Sequence, residues 1–200
     1  MKLAICVFCA SSDAIAQRYV ELAAELGSEI ARRGHVLVTG GGSVSCMGAV
    51  ARAARAGGAH TVGVIPRALL DYEVADEDVD ELVVTDDMRT RKGTMDARAD
   101  GFITLPGGLG TLEELLEVWT ARTLRMHDKP VIVCDPDGVF AHLRAQVEYI
   151  VEQGFARATV WNAVTWVTTP AAAIDAIEAE VRAHVPQPPP TAGEVLEAEP

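Results

Sequence analysis

Residues 101–120 read GFITLPGGLGTLEELLEVWT, and this stretch indicates the class of fold. Residues 101–105 form a short apolar run that is typical of a buried β-strand, and a glycine-rich turn at residues 106–110 follows immediately. A helical pattern of apolar residues then runs from about residue 112 to residue 126. A strand, a tight glycine turn and a helix in this order predict part of a βαβ unit.

The same alternation of apolar runs and helical segments extends in both directions along the chain. We predict strands at residues 3–8, 36–39, 61–65, 82–85, 101–105, 131–134 and 163–167. We predict helices at residues 14–33, 47–56, 87–98, 112–126, 139–153 and 171–184. This pattern predicts an α/β, Rossmann-like doubly wound domain over residues 1–185, with a mostly parallel sheet and helices on both faces. Residues 186–200 contain five prolines and three glutamates and are expected to form a disordered tail.

The charge of the chain restricts its partners. Its 200 residues include 29 acidic and 17 basic side chains, for a formal net charge of −12. Such a surface repels phosphodiester backbones and anionic lipids, so we expect no nucleic-acid or membrane partner. An anionic ligand therefore needs a local, prepared site. Because we find neither a signal peptide nor an apolar run as long as a membrane span, we expect a cytoplasmic protein.

The four cysteines, Cys6, Cys9, Cys46 and Cys134, are expected to be reduced thiols in such a compartment. Cys6 and Cys9 match the C-x-x-C pattern, but redox pairs of this type lie at a helix N-terminus, whereas these lie in or just after a strand. Residues i and i+3 of a strand point to opposite faces, which also separates two metal ligands. We therefore predict buried packing roles for this pair.

Two glycine-rich loops follow predicted strands, at residues 39–48 and 105–111. In doubly wound sheets, ligands bind beyond the carboxyl ends of the strands, and glycines let backbone amides and helix N-termini approach a phosphate. Neither loop has the Walker A or the G-x-G-x-x-G spacing. Tight turns alone explain one such loop, but two of them predict a phosphorylated ligand, with Gly41 and Gly42 as candidate contacts in the first loop.

A basic cluster interrupts this acidic chain. Residues 71–87 contain nine acids and no base, and Arg89, Arg91 and Lys92 follow, with Arg98 further along the chain. The cluster predicts a need for local positive potential, and a solvated helix face that balances the acidic segment is the alternative interpretation. Because these side chains lie on different faces of a helix, they cannot all reach one ligand.

Glu114 has two interpretations. Residues 111–114 match a capping box, with Thr111 as the N-cap and the Glu114 side chain returning to the Thr111 amide. A carboxylate one turn into a helix that opens on a phosphate loop can instead face the ligand. Glu113 points about 100° away around the helix and is the natural control residue.

Three motifs are specific enough to indicate a family: M-x-x-R-K at residues 88–92, A-D-x-F-I-x-L at residues 99–105 and P-G-G-x-G-T-x-x-E at residues 106–114. Together they resemble the Lonely Guy family of cytokinin riboside 5′-monophosphate phosphoribohydrolases, which are often labelled lysine decarboxylases. The resemblance extends over residues 2–184.

The resemblance implies hydrolysis of the N-glycosidic bond of an N6-modified adenosine 5′-monophosphate to free base and ribose 5-phosphate, without metal or organic cofactor. It places the family's catalytic arginine and glutamate on Arg91 and Glu114. It also implies a homodimer or larger homo-oligomer, with the site completed near the subunit interface. The implied or candidate substrate contacts are Met88, Lys92, Gly107, Gly108, Gly110, Thr111, Gly41, Gly42 and Ser12.

One departure from the family concerns the first loop, which normally reads G-G-G-x-x-G-L-M-G. Ser45 and Cys46 replace the Gly-Leu pair, so we expect a different turn or a different substrate range.

Two other functions stay open: a broader nucleoside 5′-monophosphate nucleosidase, and a non-catalytic nucleotide or molybdenum-cofactor carrier on the same scaffold. The lysine decarboxylase label is not supported, because Lys2, Lys92 and Lys129 lie in no recognisable pyridoxal phosphate motif.

Overall fold

The computed structural model describes residues 1–70 and 75–183. The predicted tail at residues 186–200 lies outside the described residues, as does the acidic segment at residues 71–74. The strands are β1 Ala4–Phe8, β2 Val36–Thr39, β3 Thr61–Pro66, β4 Glu81–Thr85, β5 Gly101–Thr104, β6 Val131–Cys134 and β7 Thr165–Val167. The α-helices are α1 Gln17–Arg32, α2 Ser45–Ala56, α3 Met88–Arg98, α4 Leu109–Thr123, α5 Ala141–Glu152 and α6 Pro170–Ala183.

The strands form a seven-stranded sheet in the order β4-β3-β2-β1-β5-β6-β7, and each described pair is parallel. Strand β1 therefore lies between β2 and β5, and the chain winds outward from it in both directions. This arrangement confirms the predicted doubly wound α/β fold. It also creates a topological switch point between β1 and β5, where ligands of such sheets bind.

Helices cover both faces of the sheet because alternate strand residues point to opposite sides. On one face, Ile5 and Val7 of β1 pack in a core shared with α1, α2 and α6. On the other face, Cys6 and Phe8 pack in a core shared with α3, α4 and α5. Cys9 belongs to the first core, so the C-x-x-C pair is split between the two faces, as predicted.

Helices α1 and α2 pack closely against each other. A Cβ atom on Gly27 would lie 2.2 Å from the Val50 carbonyl oxygen, so only glycine permits this approach of the two helices. Helix α1 ends at Arg32, and Gly34 follows in the left-handed region at a φ of 74°.

The predicted capping box is wrong. Helix α4 begins three residues earlier than predicted, at Leu109, with Gly108 as its extended N-cap residue. Thr111 therefore lies inside the first turn and Glu114 inside the second, too far along the helix for the Glu114 side chain to cap it. The sequence places Gly108 and Gly110 in a turn, but in the structure Gly110 belongs to the first turn of α4. Helix α2 likewise begins at Ser45 and not at about Met47.

Candidate functional site

A cavity of about 450 Å³ lies at the switch point, beyond the carboxyl ends of β1 and β5. Its volume is within the range of small-molecule sites, about 300–1,000 Å³. Its walls come from the β1–α1 loop and α1, the start of α2, helix α3, the β5–α4 turn with the start of α4, and the β6–α5 loop. The lining residues are Cys9, Ala10, Ser11, Ser12, Ile15, Tyr19, Met47, Met88, Arg91, Pro106, Gly107, Gly108, Leu109, Gly110, Thr111, Glu113, Glu114 and Val139.

Arg91 lines this cavity, and hydrogen bonds to the backbone fix its orientation. Its side chain is 5% exposed, its Nε donates to the Val64 carbonyl oxygen at 3.0 Å, and its Nη2 donates to the Gly40 carbonyl oxygen at 3.0 Å. Two backbone acceptors, one within β3 and one directly after β2, thus fix the plane of the guanidinium. The buried cation is oriented by the sheet itself.

Glu114 faces this cation from α4. Its Oε1 lies 3.8 Å from Arg91 Nη1, and its side chain is 12% exposed. Residues that are distant in sequence thus form a partly buried ion pair on the cavity wall. Such a pair can present a carboxylate of fixed orientation to a ligand, since the attraction of the buried cation holds it in place.

Helix α4 presents free amides to the same cavity. The first hydrogen bond of the helix runs from the Leu112 amide to the Gly108 carbonyl at 3.0 Å, so the amides of Leu109, Gly110 and Thr111 have no acceptor within the helix. These donors, with the positive end of the helix dipole, form an arrangement suited to an anion.

The glycines of this turn are not equally required by the fold. A Cβ on Gly107 would lie 2.1 Å from Thr111 Oγ1, so the fold itself requires glycine there. At Gly108 and Gly110, a Cβ would meet nothing within 4 Å among the described residues, and neither φ is positive. The described structure does not require glycine at these two positions.

The contacts described for the first glycine loop are contacts within the protein. Gly41 and Gly42 do not line the cavity among its described residues. The Gly42 amide is directed at Met47 Sδ, and the Gly41 carbonyl accepts a hydrogen bond from the Asp76 amide at 2.8 Å. The loop instead offers the Gly40 carbonyl to Arg91.

Lys92 also lies away from this cavity. Its Nζ contacts the Glu113 carboxylate and lies 2.7 Å from Glu117 Oε2. It lines a neighbouring cavity of about 300 Å³, and Glu114 lines both cavities. Arg91 and Lys92 therefore face different surroundings, as their helical spacing predicts.

Sequence reasoning missed Ile15, Tyr19 and Val139 in the cavity wall. Ile15 could have been predicted, because it lies in the loop after β1 and loops at the switch point line the ligand site. Nothing in the sequence marks Val139, because its loop follows β6 and reaches the cavity only through the folding of the chain.

The cysteine in the cavity wall is not poised for nucleophilic attack. Burial, and to a smaller extent Cys46 and Glu114 nearby, raises the pKa of the Cys9 thiol well above its usual value. The thiol is therefore protonated at neutral pH. Within residues 1–70 and 75–183, no group of three or more His, Cys, Asp or Glu side chains is placed to hold a metal ion. No helix in these ranges is long and apolar enough to cross a bilayer.

The fold and the cavity define a Rossmann-like α/β protein with free helix amides and a buried arginine–glutamate pair at its switch point. The profile of a family described as "Possible lysine decarboxylase" matches residues 47–177. The chain belongs to this family, and the resemblance of residues 88–114 to the Lonely Guy proteins is confirmed.

Curated relatives carry a more specific name. A cytokinin riboside 5′-monophosphate phosphoribohydrolase of Mycobacterium tuberculosis is 53% identical over 155 residues, which are 78% of this chain and 82% of the relative. A protein of the same name from Arabidopsis thaliana is 46% identical over 151 residues, 76% of this chain and 70% of the relative. Among solved structures, a molybdenum cofactor binding protein from Rippkaea orientalis superposes with a TM-score of 0.69 at 25% identity, covering 90% of this chain and 97% of its own.

Proposed function

We propose that this protein hydrolyses the N-glycosidic bond of N6-modified adenosine 5′-monophosphates, releasing the free base and ribose 5-phosphate. The observation that carries the proposal is the shared cavity: the free amides of α4 and the buried Arg91–Glu114 pair line the same space. The names of the curated relatives, cytokinin riboside 5′-monophosphate phosphoribohydrolases, agree with this chemistry.

The phosphate is the anchor of the substrate in this proposal. The amides of Leu109, Gly110 and Thr111 bind its oxygens at the start of α4, and Gly108 and Gly110 leave room for it. Because the 5′ ester oxygen, the C5′ methylene group and part of the ribose ring separate the reacting carbon C1′ from the phosphate, this binding energy fixes the ribose beside Glu114 without touching the bond that breaks.

Glu114 and Arg91 serve the step itself. The oxygen of a water molecule bonds to C1′ of the ribose, and the C1′–N bond breaks with its electron pair leaving on the base. The transition state has oxocarbenium character. The Glu114 carboxylate stabilises that positive charge and accepts a proton from the attacking water. The departing base takes up a proton from solvent, and Glu114 then returns its proton to solvent, so the net reaction consumes one water molecule. Arg91 orients the carboxylate at 3.8 Å.

The alternatives are less well supported. A carrier uses the phosphate site but needs no buried arginine–glutamate pair beside it. A nucleosidase of broader range uses the same machinery and differs only in the base accepted. Decarboxylation with pyridoxal phosphate needs a lysine amine in the site, and no lysine is found among the described lining residues. Lys92 is paired with Glu113 and Glu117, and Lys129 with Asp96.

The test is the release of free base from N6-isopentenyladenosine 5′-monophosphate, compared with adenine release from AMP. The proposal predicts release from both or from the modified nucleotide alone, with the modified nucleotide preferred. Equal or greater release from AMP supports the broader nucleosidase. Tight nucleotide binding with no release supports the carrier and contradicts the proposal.

A homodimer or larger homo-oligomer in the cytoplasm is part of the proposal. Three apolar side chains are exposed around the cavity: Leu109 at 85%, Met88 at 43% and Val139 at 42%. Exposed apolar groups at one site support coverage by a second copy of the chain. Sedimentation equilibrium measures the oligomeric state directly.

The four buried free thiols support a reducing compartment.

A further inference from the structure

Ser45 has an unusual backbone conformation. Its φ is 51°, in the left-handed region that favours glycine. Among the described residues, only one other non-glycine residue, Arg125 with a φ of 56°, has a positive φ. Such a conformation costs free energy, and the surrounding structure must impose it.

The side chain of Ser45 makes a contact that a glycine cannot make. Its Oγ donates a hydrogen bond to the Ser12 carbonyl oxygen at 2.6 Å. Ser12 lies in the β1–α1 loop, where residues 11–14 are exposed and Ser11, Ser12 and Ile15 line the cavity. The hydroxyl therefore ties the start of α2 to the opposite wall of the candidate site.

The next residue reinforces this link. Cys46 is 1% exposed, and its Sγ lies 3.3 Å from the Tyr19 carbonyl oxygen in the first turn of α1. Tyr19 also lines the cavity. Two consecutive side chains of α2 thus hold both ends of the wall that runs from Ser11 to Tyr19.

We propose that Ser45 is a positioning residue, which fixes the β1–α1 loop as a preformed wall of the nucleotide cavity and thereby tightens ligand binding. The inference rests on the proposed function, because it concerns the same cavity. An exposed loop that is already ordered loses less conformational freedom when the ligand binds. The strained backbone of Ser45 is retained for the sake of this hydrogen bond.

Two substitutions separate the hydrogen bond from the strain. Ser45→Ala removes the hydroxyl and keeps a Cβ in the left-handed region, whereas Ser45→Gly removes both the hydroxyl and the strain. Arg125→Gly is the matched control, since it relieves the other positive φ, at a residue outside the described lining of the cavity. The measurements are thermal unfolding, the Kd of ribose 5-phosphate by calorimetry, and the KM and kcat for the nucleotide.

We expect Kd and KM to rise about threefold to tenfold in both Ser45 variants, the change that corresponds to one lost neutral hydrogen bond. The kcat stays within about twofold of wild type. The Tm falls in Ser45→Ala and stays level or rises in Ser45→Gly, while Arg125→Gly leaves Kd and KM unchanged.

If Ser45 only stabilises the fold, Kd and KM change only in a variant whose Tm also falls. Wild-type Kd and KM in Ser45→Gly overturn the inference, and so does a fall in kcat at constant KM. The proposed function fails separately, when wild-type protein binds no ribose 5-phosphate and releases no base. If wild type binds without turnover, the comparison of Kd values still tests Ser45.

Discussion

The Gly40 carbonyl oxygen accepts a hydrogen bond from Arg91 Nη2 at 3.0 Å, and a Cβ atom on Gly40 would lie 1.8 Å from the same nitrogen. The first glycine-rich loop is therefore shaped around the arginine. With the Val64 carbonyl as second acceptor, it holds the guanidinium where Nη1 faces Glu114. The glycine loop and the arginine, which the sequence analysis singled out separately, form one structural unit.

Replacement of Gly40 is expected to disable the arginine. In Gly40→Ala, the new methyl group displaces the guanidinium from its two carbonyl acceptors and from Glu114. We expect a loss of about 1–3 kcal/mol in the free energy of unfolding and a large fall in kcat. Gly93→Ala, on the same helix as Arg91, is the control because a Cβ there meets nothing within 4 Å. Urea unfolding and turnover measure both effects, and a Gly40→Ala protein with wild-type kcat contradicts this role.

The turn before α4 offers a comparison of two glycines. Gly107→Ala places a methyl group 2.1 Å from the buried Thr111 Oγ1, so we expect a lower Tm. Gly110→Ala meets nothing within 4 Å and replaces a helical glycine, so we expect a gain of about 0.5–1 kcal/mol in stability. If a phosphate lies against Gly110, the same variant binds ribose 5-phosphate more weakly. If calorimetry gives Gly110→Ala the same Kd for ribose 5-phosphate as wild type, the phosphate does not lie against Gly110.

Cys9 is expected to be dispensable for the reaction. Its thiol lines the cavity, but burial raises its pKa well above the usual value and keeps it protonated. Cys9→Ala should therefore retain kcat within about twofold, the normal scatter for a residue outside the chemistry. Steady-state kinetics on the folded variant give the answer. A loss of two orders of magnitude or more would show that the thiol takes part.

Stability in acid is expected to depend on Glu29. Hydrogen bonds from Arg32 and then Arg33 lower the pKa of the Glu29 carboxyl from 4.5 to about 2. Because the folded-state pKa is the lower one, the contribution is fully present above about pH 4.5 and is lost as the pH falls towards 2.

Comparison of wild type with Glu29→Gln measures the pH-dependent contribution of Glu29 to stability. We expect wild type to exceed the variant in free energy of unfolding at pH 6, and the difference to shrink between pH 5 and pH 3. Urea titrations across this range measure it. A difference that is independent of pH would mean that the ion pair does not control the titration.

Much of the fold could be predicted from the sequence. Strands β2 and β6 match the predicted residues 36–39 and 131–134, because short buried apolar runs flanked by turn residues leave little choice of boundary. The helix starts were predicted less well. Gly108 and Gly110 have the composition of a loop, but the extended N-cap conformation of Gly108 lets the helix begin directly after it.

Less of the candidate site could be predicted from the sequence. Glycine spacing predicts the free amides of α4, since any helix after such a turn presents them. Contact of Arg91 with Gly40 and Glu114 depends on three elements that meet only through the strand order. No local pattern shows that Lys92 pairs with Glu113 and Glu117 and turns away from the cavity.

In the proposed reaction, Glu114 performs the chemistry in a cavity that binds the nucleotide through α4. The most direct measurement is base release from N6-isopentenyladenosine 5′-monophosphate by wild type, Glu114→Gln and Glu113→Gln. Glu113 is the control because it precedes Glu114 on the same helix and also lines the cavity, but its carboxylate contacts Lys92 and not Arg91.

We predict that Glu114→Gln loses at least about two orders of magnitude in kcat, as expected for removal of a catalytic acid–base group, while its Kd for ribose 5-phosphate stays within about threefold. Glu113→Gln keeps kcat within about threefold. A Glu114→Gln protein that is folded and releases base at the wild-type rate would contradict the proposed role and leave Glu114 as a partner of Arg91 alone.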